Sequence, residues 1–365
     1  MAVTFSTHQQ NGFHPEQNGF HPIEAEISTI RVGIVGCGYW GPKLARNFHE
    51  LPGSALAMVA DLREDRLADI KQLYPDVVTT RNYQDLLDDT LDAIVIATSV
   101  NTHYQLAKAA LLAGKHVLVE KPLTARSAQA QDLIELASER GLQLMVGHTF
   151  EYNPAVEAVR ELVQAGELGK VYYLNSTRAN LGLLQPDINV MWDLGPHDIS
   201  MIRFILGADP ICVSALGTAY INTMRGLHEV VFVNLRFEGN IMANLRLSWL
   251  SPVKRRSLTV VGSKKMLVYD DIADDKVVIY DKGVEILPYS VTEEEFHASY
   301  RHGGETVYPL EWVEPLQIEC QHFLDCIRTG AEPRSNGEDA IKVIKVLETA
   351  QRSLFNGGVE LKIEY

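Results

Sequence analysis

The chain has 365 residues, 46% hydrophobic and 22% charged, with a formal net charge of -14. That is ordinary globular usage in a chain longer than one core usually grows, and it excludes collagen-like, low-complexity and disulfide-dense classes. The acidic balance argues against nucleic acid and anionic membranes as partners, and no apolar run approaches the ~18 residues of a membrane span.

Residues 1–28 are rich in Gln, Asn, His and Pro and carry a five-residue echo, Asn11-Gly12-Phe13-His14-Pro15 and Asn18-Gly19-Phe20-His21-Pro22. This segment has too little apolar surface to fold alone and is read as a mobile tail, with His8, His14 and His21 part of a leader rather than a metal tract. It lacks the basic start and apolar core of a secretory signal. Cys37, Cys212, Cys320 and Cys326 are scattered, with no close pair of the metal-ribbon or dithiol kind. The expected setting is therefore reducing and cytoplasmic.

From Arg31 short apolar runs alternate with amphipathic segments, the pattern of a parallel sheet covered on both faces. Strands are expected at about 31–36, 55–60, 92–97, 116–119 and 142–146, and helices near 41–50, 63–73, 102–113 and 125–140, with Gly114 and Gly141 as stop signals. Residues 29–150 thus read as a doubly wound α/β domain. Beyond 150 a helix near 154–166 precedes alternating runs such as Val171 to Thr177 and Val230 to Phe237. Further helices are expected near 194–206, 312–328 and 337–354, which makes 151–365 an α+β domain with an open, largely antiparallel sheet.

The first strand runs into Gly36-Cys37-Gly38-Tyr39-Trp40-Gly41, a G-x-G-x-x-G at a strand end and helix start. In that position the glycines permit a tight turn, backbone approach to a pyrophosphate and close helix packing, the signature of a Rossmann dinucleotide site. Asp61 follows Gly41 by 20 residues (61 minus 41), the spacing at which a carboxylate meets ribose hydroxyls. It would repel a 2'-phosphate, so NAD is favoured, while nearby Arg63 leaves NADP open. Capping of the next helix is the competing role for Asp61. At the end of the third expected strand Thr98, Asn101 and His103 are candidate cofactor neighbours; Asn101 also reads as a helix cap, and His103 as a helix-surface imidazole.

Glu120-Lys121-Pro122 closes the next strand at the same sheet edge, where Glu120 and Lys121 are candidate cofactor contacts. A lysine there can donate to a substrate oxygen beside the nicotinamide, with a surface ion pair to Glu120 as the plain alternative. In the C-terminal part, Asp193 and His197 are four apart and share a face if helical, a spacing suited to acid/base work. A helix start capped by Asp193 with His197 in the core reads equally well. No third ligand stands at a motif spacing, so no metal is expected.

Together the loop Gly36 to Gly41, Asp61, the stretch Ala97 to His103, Gly114-Lys115-His116-Val117, Glu120-Lys121-Pro122 and the Asp193/His197 pair resemble the glucose-fructose oxidoreductase, inositol dehydrogenase and rhizopine-catabolism family over about residues 30–365. The resemblance implies a nicotinamide-dependent dehydrogenase of sugars, inositols or nucleotide sugars that assembles as a homodimer or homotetramer. Carried over by position, Lys121 bridges cofactor and substrate hydroxyl across a cis Lys121-Pro122 bond, His197 is the acid/base, and Asp193 contacts substrate. The wording around Met191-Trp192-Asp193 resembles the branch acting at C3 of surface-polysaccharide nucleotide sugars. The chain departs from the family after the strand at 142–146. Gly147-His148-Thr149-Phe150-Glu151-Tyr152-Asn153-Pro154 has no arginine where many members carry one. Tyr152 and Asn153 are then expected substrate contacts, and Arg178, Lys254, Arg255 and Arg256 are candidates for a substrate anion, the last three also reading as a solvated face. A glycosidase that retains NAD and a non-catalytic dinucleotide sensor are the other readings, the sensor being disfavoured by the intact Lys121, Asp193 and His197.

Overall fold

The computed structural model describes residues 29–182, 184–286 and 298–365; the tail expected over residues 1–28 lies outside them. The first unit runs β1 (Ile30–Val35), α1 (Gly41–Glu50), β2 (Ser54–Ala60), α2 (Glu64–Leu73), β3 (Val78–Thr80), β4 (Ala93–Ile96), α3 (Val100–Leu112), β5 (His116–Glu120), α4 (Ser127–Arg140) and β6 (Leu144–Gly147). Its six strands are all parallel in the order β3-β2-β1-β4-β5-β6. The order reverses between β1 and β4, so the crevice beyond their carboxyl ends is where a ligand of such a sheet collects. Val32, Ile34, Val95, Val119 and Val146 are fully enclosed, which is why these strands read as apolar runs. β3 had no such signal: it is three residues long and Val78 is half exposed.

The second unit contains α5 (Pro154–Gln164), β7 (Val171–Leu181), α6 (Val190–Leu206), β8 (Cys212–Thr218), β9 (Val230–Arg236), β10 (Met242–Ser248), β11 (Leu250–Gly262), β12 (Met266–Asp270), β13 (Val277–Ile286), β14 (Ala298–Val307), α7 (Pro315–Thr329), α8 (Gly337–Phe355) and β15 (Leu361–Lys362). The strands form one open sheet in the order β14-β13-β12-β11-β7-β10-β9-β8-β15. Only β7 and β10 run parallel; the other neighbours are antiparallel. On β7 the alternation turns Leu174, Ser176 and Arg178 inward and Tyr173, Asn175 and Thr177 outward. Helix α6 begins at Val190 rather than at 194, because Asn189 Oδ1 accepts from the amides of Met191 and Trp192 at 3.1 and 3.2 Å. Gly195 and Pro196 lie inside the helix, as expected from 194 onward.

The last two helices do not stay with the unit that precedes them. α7 returns to α1, where Phe323 meets Phe48 edge-on at 6.4 Å, and Leu316, Cys320 and Leu324 share a core with Ile34 and Leu44. Ser335 then docks on the free side of β6: Val146 N donates to its carbonyl at 2.8 Å and its hydroxyl donates to Val146 O at 2.6 Å. α8 is shared, with Ile341 and Ile344 in the first unit's core and Val343, Val346 and Leu347 in the second's. Among the described residues no helix is long and apolar enough to cross a membrane.

Under the second sheet Asp198 accepts from Arg178 Nε at 2.7 Å and from the Ser176 hydroxyl at 2.6 Å, with both charged side chains at most 5% exposed. Removing one partner strands a buried charge. Asp198→Ala is expected to lower chemical stability of the intact chain by about 3–5 kcal/mol. An unchanged urea midpoint would show that the pair carries no such weight.

Candidate active site

The glycine loop separates what the fold needs from what a ligand needs. Gly36 has φ +98°, and a Cβ there would stand 2.7 Å from Ala97 O; a Cβ at Gly41 would overlap the carbonyl oxygen of Gly36. Both are demanded by the chain itself. A Cβ at Gly38 meets only the tip of Arg66, at 3.9 Å, so nothing in the protein excludes a side chain at that position. No side chain caps α1 either. A bare helix N-terminus behind an unobstructed glycine fits a pyrophosphate. Tyr39 is exposed beside this bed, and the Lys43 ammonium lies 3.7 Å from its ring centroid and 4.5 Å from that of Trp40.

Asp61 ends β2 and does not cap α2. Its Oδ2 accepts from Cys37 N at 2.6 Å and its Oδ1 from Arg63 N at 2.8 Å, so it fastens the glycine loop to the start of α2. Arg63 turns away to pair with Asp65. Arg66, one helical turn on, is the cation beside the loop, 3.5 Å from Asp61 Oδ2. Sequence reasoning chose Arg63 because it is adjacent; the spacing that signals Arg66 is that of the first turn of α2.

Thr98 Oγ1 and Thr102 Oγ1 are 2.7 Å apart, and Asn101 donates to Asp187 Oδ2 at 3.0 Å across the crevice instead of capping α3. The reading of His103 as a surface imidazole is corrected. It is 1% exposed, with Nδ1 2.9 Å from Pro122 O and Nε2 3.1 Å from Thr98 O, and therefore braces two strand-end loops.

The Lys121-Pro122 bond is cis. Lys121 Nζ donates to the main-chain oxygen of Asp193 at 2.8 Å and lies 3.6 Å from its Oδ1. Glu120 does not form a surface ion pair. It is buried, and burial pushes its carboxyl up to about 7 against the opposing pull of Lys121. Glu319 of α7 lies near it, fully buried with neither oxygen partnered, and burial together with the charge of Glu120 holds it well above the carboxylate range.

Asp193 and His197 share one face of α6. Asp193 is not the cap of that helix; its Oδ2 accepts from the Trp249 indole at 3.1 Å. The His197 ring is partly exposed, with Nδ1 enclosed and Nε2 left open, and it meets Phe150 edge-on at 5.2 Å. Burial first, then the charges of Lys121 and Arg178, hold this histidine well below its usual range, so it is neutral at neutral pH and able to accept a proton. Phe150 in turn lies 4.3 Å under the Arg178 guanidinium. Neither Phe150 nor Trp249 was found from sequence, since an apolar ring in a loop and a tryptophan at a strand end look like core.

Three expected substrate contacts are corrected by burial. The Tyr152 hydroxyl is taken by Ser335 Oγ at 2.9 Å, Asn153 caps α5 and donates to Tyr269 at 3.2 Å, and Arg178 is committed to Asp198. Of the three-cation run on β11, Arg256 is opposite Arg178 in register and so faces inward, with its Nη1 3.5 Å from Asp271 Oδ2. Arg255 points the other way, to the outer face beside Thr177 and Arg246. Among the described residues no cluster of three or more His, Cys, Asp or Glu is arranged to hold a metal, and all four cysteines are free.

A parallel sheet reversing beside an uncapped glycine loop, with a lysine reaching from its edge to an aspartate and histidine, defines an NAD-binding oxidoreductase. The sequence comparisons agree: residues 30–148 match the oxidoreductase family with an NAD-binding Rossmann fold, and residues 156–268 match the GFO/IDH/MocA C-terminal domain. The chain belongs to the GFO/IDH/MocA family, whose curated relatives include sugar and inositol dehydrogenases. It is 30% identical to the UDP-N-acetylglucosamine 3-dehydrogenase of Acidithiobacillus ferrooxidans over 71% of this chain and 79% of that one. It is 26% identical to the myo-inositol 2-dehydrogenase of Thermotoga maritima over 89% of this chain and 96% of that one. The solved structure of the Acidithiobacillus enzyme superimposes with a TM-score of 0.73 at 25% identity, covering 89% of this chain and 97% of that one.

The loop geometry makes a two-sided prediction. Gly38→Ala should leave the melting temperature unchanged while weakening NAD binding about tenfold or more, because only the ligand meets the new methyl. Gly41→Ala should instead destabilise the free protein by about 1–3 kcal/mol. Fluorescence titration with thermal melts separates the two, and equal effects on both quantities for both variants would contradict the assignment.

Proposed function

We propose that the chain is an NAD-dependent dehydrogenase that oxidises a secondary hydroxyl of a nucleotide sugar, with C3 of a UDP-sugar the favoured position. The observation that carries this reading is the convergence of Lys121, Asp193 and His197 at the crevice of the dinucleotide sheet. When bound, NAD supplies the acceptor for the carbon-bound hydrogen and its two electrons. His197 Nε2 takes the hydroxyl proton. Lys121 Nζ donates to the same oxygen and stabilises negative charge as it develops there. Asp193, oriented by Trp249, accepts from a neighbouring hydroxyl and so fixes which carbon faces the nicotinamide. The Asp61 carboxylate favours NAD over NADP, with Arg66 beside it as the group that would tolerate a 2'-phosphate.

Arg256 supports a nucleotide-sugar substrate over a free one, because a cation on the cleft side of β11 suits a diphosphate and has no counterpart in the needs of a neutral polyol. Oxidation of an inositol is the second reading, favoured by the near full-length likeness to myo-inositol 2-dehydrogenase. The outer face of the second sheet, with Tyr173, Phe232 and Met242 about half exposed, is assigned to packing against a second copy of the chain. A monomeric mass by light scattering would refute that assignment.

The test is NADH formation, followed by absorbance, with UDP- and dTDP-sugars, free sugars and inositols. Lys121→Ala is expected to abolish turnover with NAD affinity kept within about tenfold, and His197→Ala to lower turnover about a hundredfold or more. Arg256→Ala should raise KM for a nucleotide sugar and leave that for an inositol unchanged. Because the folded pKa of His197 is depressed, the acid limb of kcat/KM should fall below pH ~6.5. Retained activity in both Lys121→Ala and His197→Ala would sink the mechanism, and no NADH from any substrate would sink the function.

A further inference from the structure

A nucleotide sugar has three parts, and the cleft offers groups to two of them: Lys121, Asp193 and His197 to the sugar, and Arg256 to the diphosphate. The nucleobase has no partner yet. A base is a flat ring with apolar faces, so its site needs an accessible aromatic ring that is held in place and lies within reach of the phosphate cation.

Residues 308–314 supply such a ring. Tyr308 N donates to Val277 O at 2.9 Å and Leu310 packs on the second unit's core, while Glu314 pairs with Arg46 on α1 and Leu316 enters the first unit's core. The segment therefore crosses from one unit to the other beside α1, whose N-terminus is the cofactor bed. Trp312 lies within this crossing. Among the described residues it alone of the four tryptophans is exposed, at 49%, and it packs into neither unit's core. A large ring left in water without a packing role marks a surface that binds.

The ring is held. The Lys276 ammonium lies 4.7 Å from the Trp312 centroid, over one face, and donates to the main-chain oxygens of Asp271 and Ala273 at 3.1 and 3.2 Å. One face of the indole is thus taken by a cation anchored to the loop after β12, and the other is left for a ligand. The same loop carries the link to the phosphate cation. Asp271 Oδ2 lies 3.5 Å from Arg256 Nη1, Asp271 N donates to Arg256 O at 2.9 Å, and Asp271 Oδ1 accepts from the Tyr269 hydroxyl at 3.0 Å. Both carboxylate oxygens are therefore spent on protein. From the Arg256 guanidinium to the indole the path runs through contacts of 3.5, 3.1 and 4.7 Å with Asp271 and Lys276 between, so one nucleoside diphosphate can touch both ends. Arg256 points to the inner face of its sheet and is still 41% exposed, as a side chain at an open cleft is.

We infer that Trp312 is the nucleobase platform of this cleft: the uracil of a UDP-sugar stacks on the indole face opposite Lys276, with its diphosphate at Arg256. Lys276 is a positioning residue that fixes the plane of the indole. The inference rests on the nucleotide-sugar reading and adds to it the group that tells a nucleotide sugar from a free one.

Two measurements test it. Trp312→Ala should raise KM for a UDP-sugar about tenfold, the loss expected when a base is deprived of its aromatic partner, with kcat and the KM for NAD changed less than about twofold. Trp312→Phe should keep most of the affinity. An unchanged KM for the UDP-sugar overturns the platform, and so does an equal rise in the KM for NAD, which is the mark of a merely structural role. Calorimetric titration of the NAD-saturated protein with UMP separates this failure from that of the proposed function. UMP should bind the wild type and bind Trp312→Ala about tenfold more weakly. No binding to the wild type, or equal binding to both, overturns the platform whatever the turnover. Binding that Trp312→Ala weakens, in a wild type that oxidises no UDP-sugar, sustains the platform and removes the proposed reaction.

Discussion

The ammonium of Lys121 donates 2.8 Å to the main-chain oxygen of Asp193, joining the carboxyl edge of one sheet to the helix beneath the other. The acceptor is backbone, so the bond fixes α6 itself, while the carboxylate of Asp193 lies 3.6 Å from the same ammonium. With α6 fixed in rotation, Asp193 is turned to Trp249 and His197, one turn on, to Phe150. The brace of His103 between Thr98 and Pro122 holds the exit of β5, from which Lys121 reaches.

Desolvation governs the chemistry around this link. Glu120, Glu319 and Glu151 are carboxyl groups pushed toward the neutral form by burial, and His148 is lowered to about 4 by the same cause. The ion pair of Lys121 is with Asp193, whose side chain reaches the crevice, and not with Glu120, its neighbour in sequence.

What could be read in the sequence follows from the range of the forces involved. β1, β4, β5 and β6 are apolar on both faces, so local composition reveals them; the glycine loop is legible because Gly36 and Gly41 answer to contacts within a few residues or to the adjacent strand end. Lys121, Asp193 and His197 were visible as residue types at set spacings. Tyr152, Asn153 and Arg178 were misjudged because a polar side chain gives no local sign of the partner that occupies it, and Ser335, Tyr269 and Asp198 are 183, 116 and 20 residues away. Trp249 and Glu319 reach the site only through tertiary packing, and no spacing within one element announces them.

The return of α7 and α8 has a consequence for biosynthesis. Leu316, Phe323, Ile341 and Ile344 complete the core around a sheet whose strands end at Gly147, and Ser335 covers the side of β6 that would otherwise be bare. A ribosome making this chain releases the dinucleotide sheet long before the residues that close it. The early product therefore carries an uncovered apolar flank and an unpaired strand until α7, Ser335 and α8 have emerged, and α1, behind the cofactor bed, gains its cover only then.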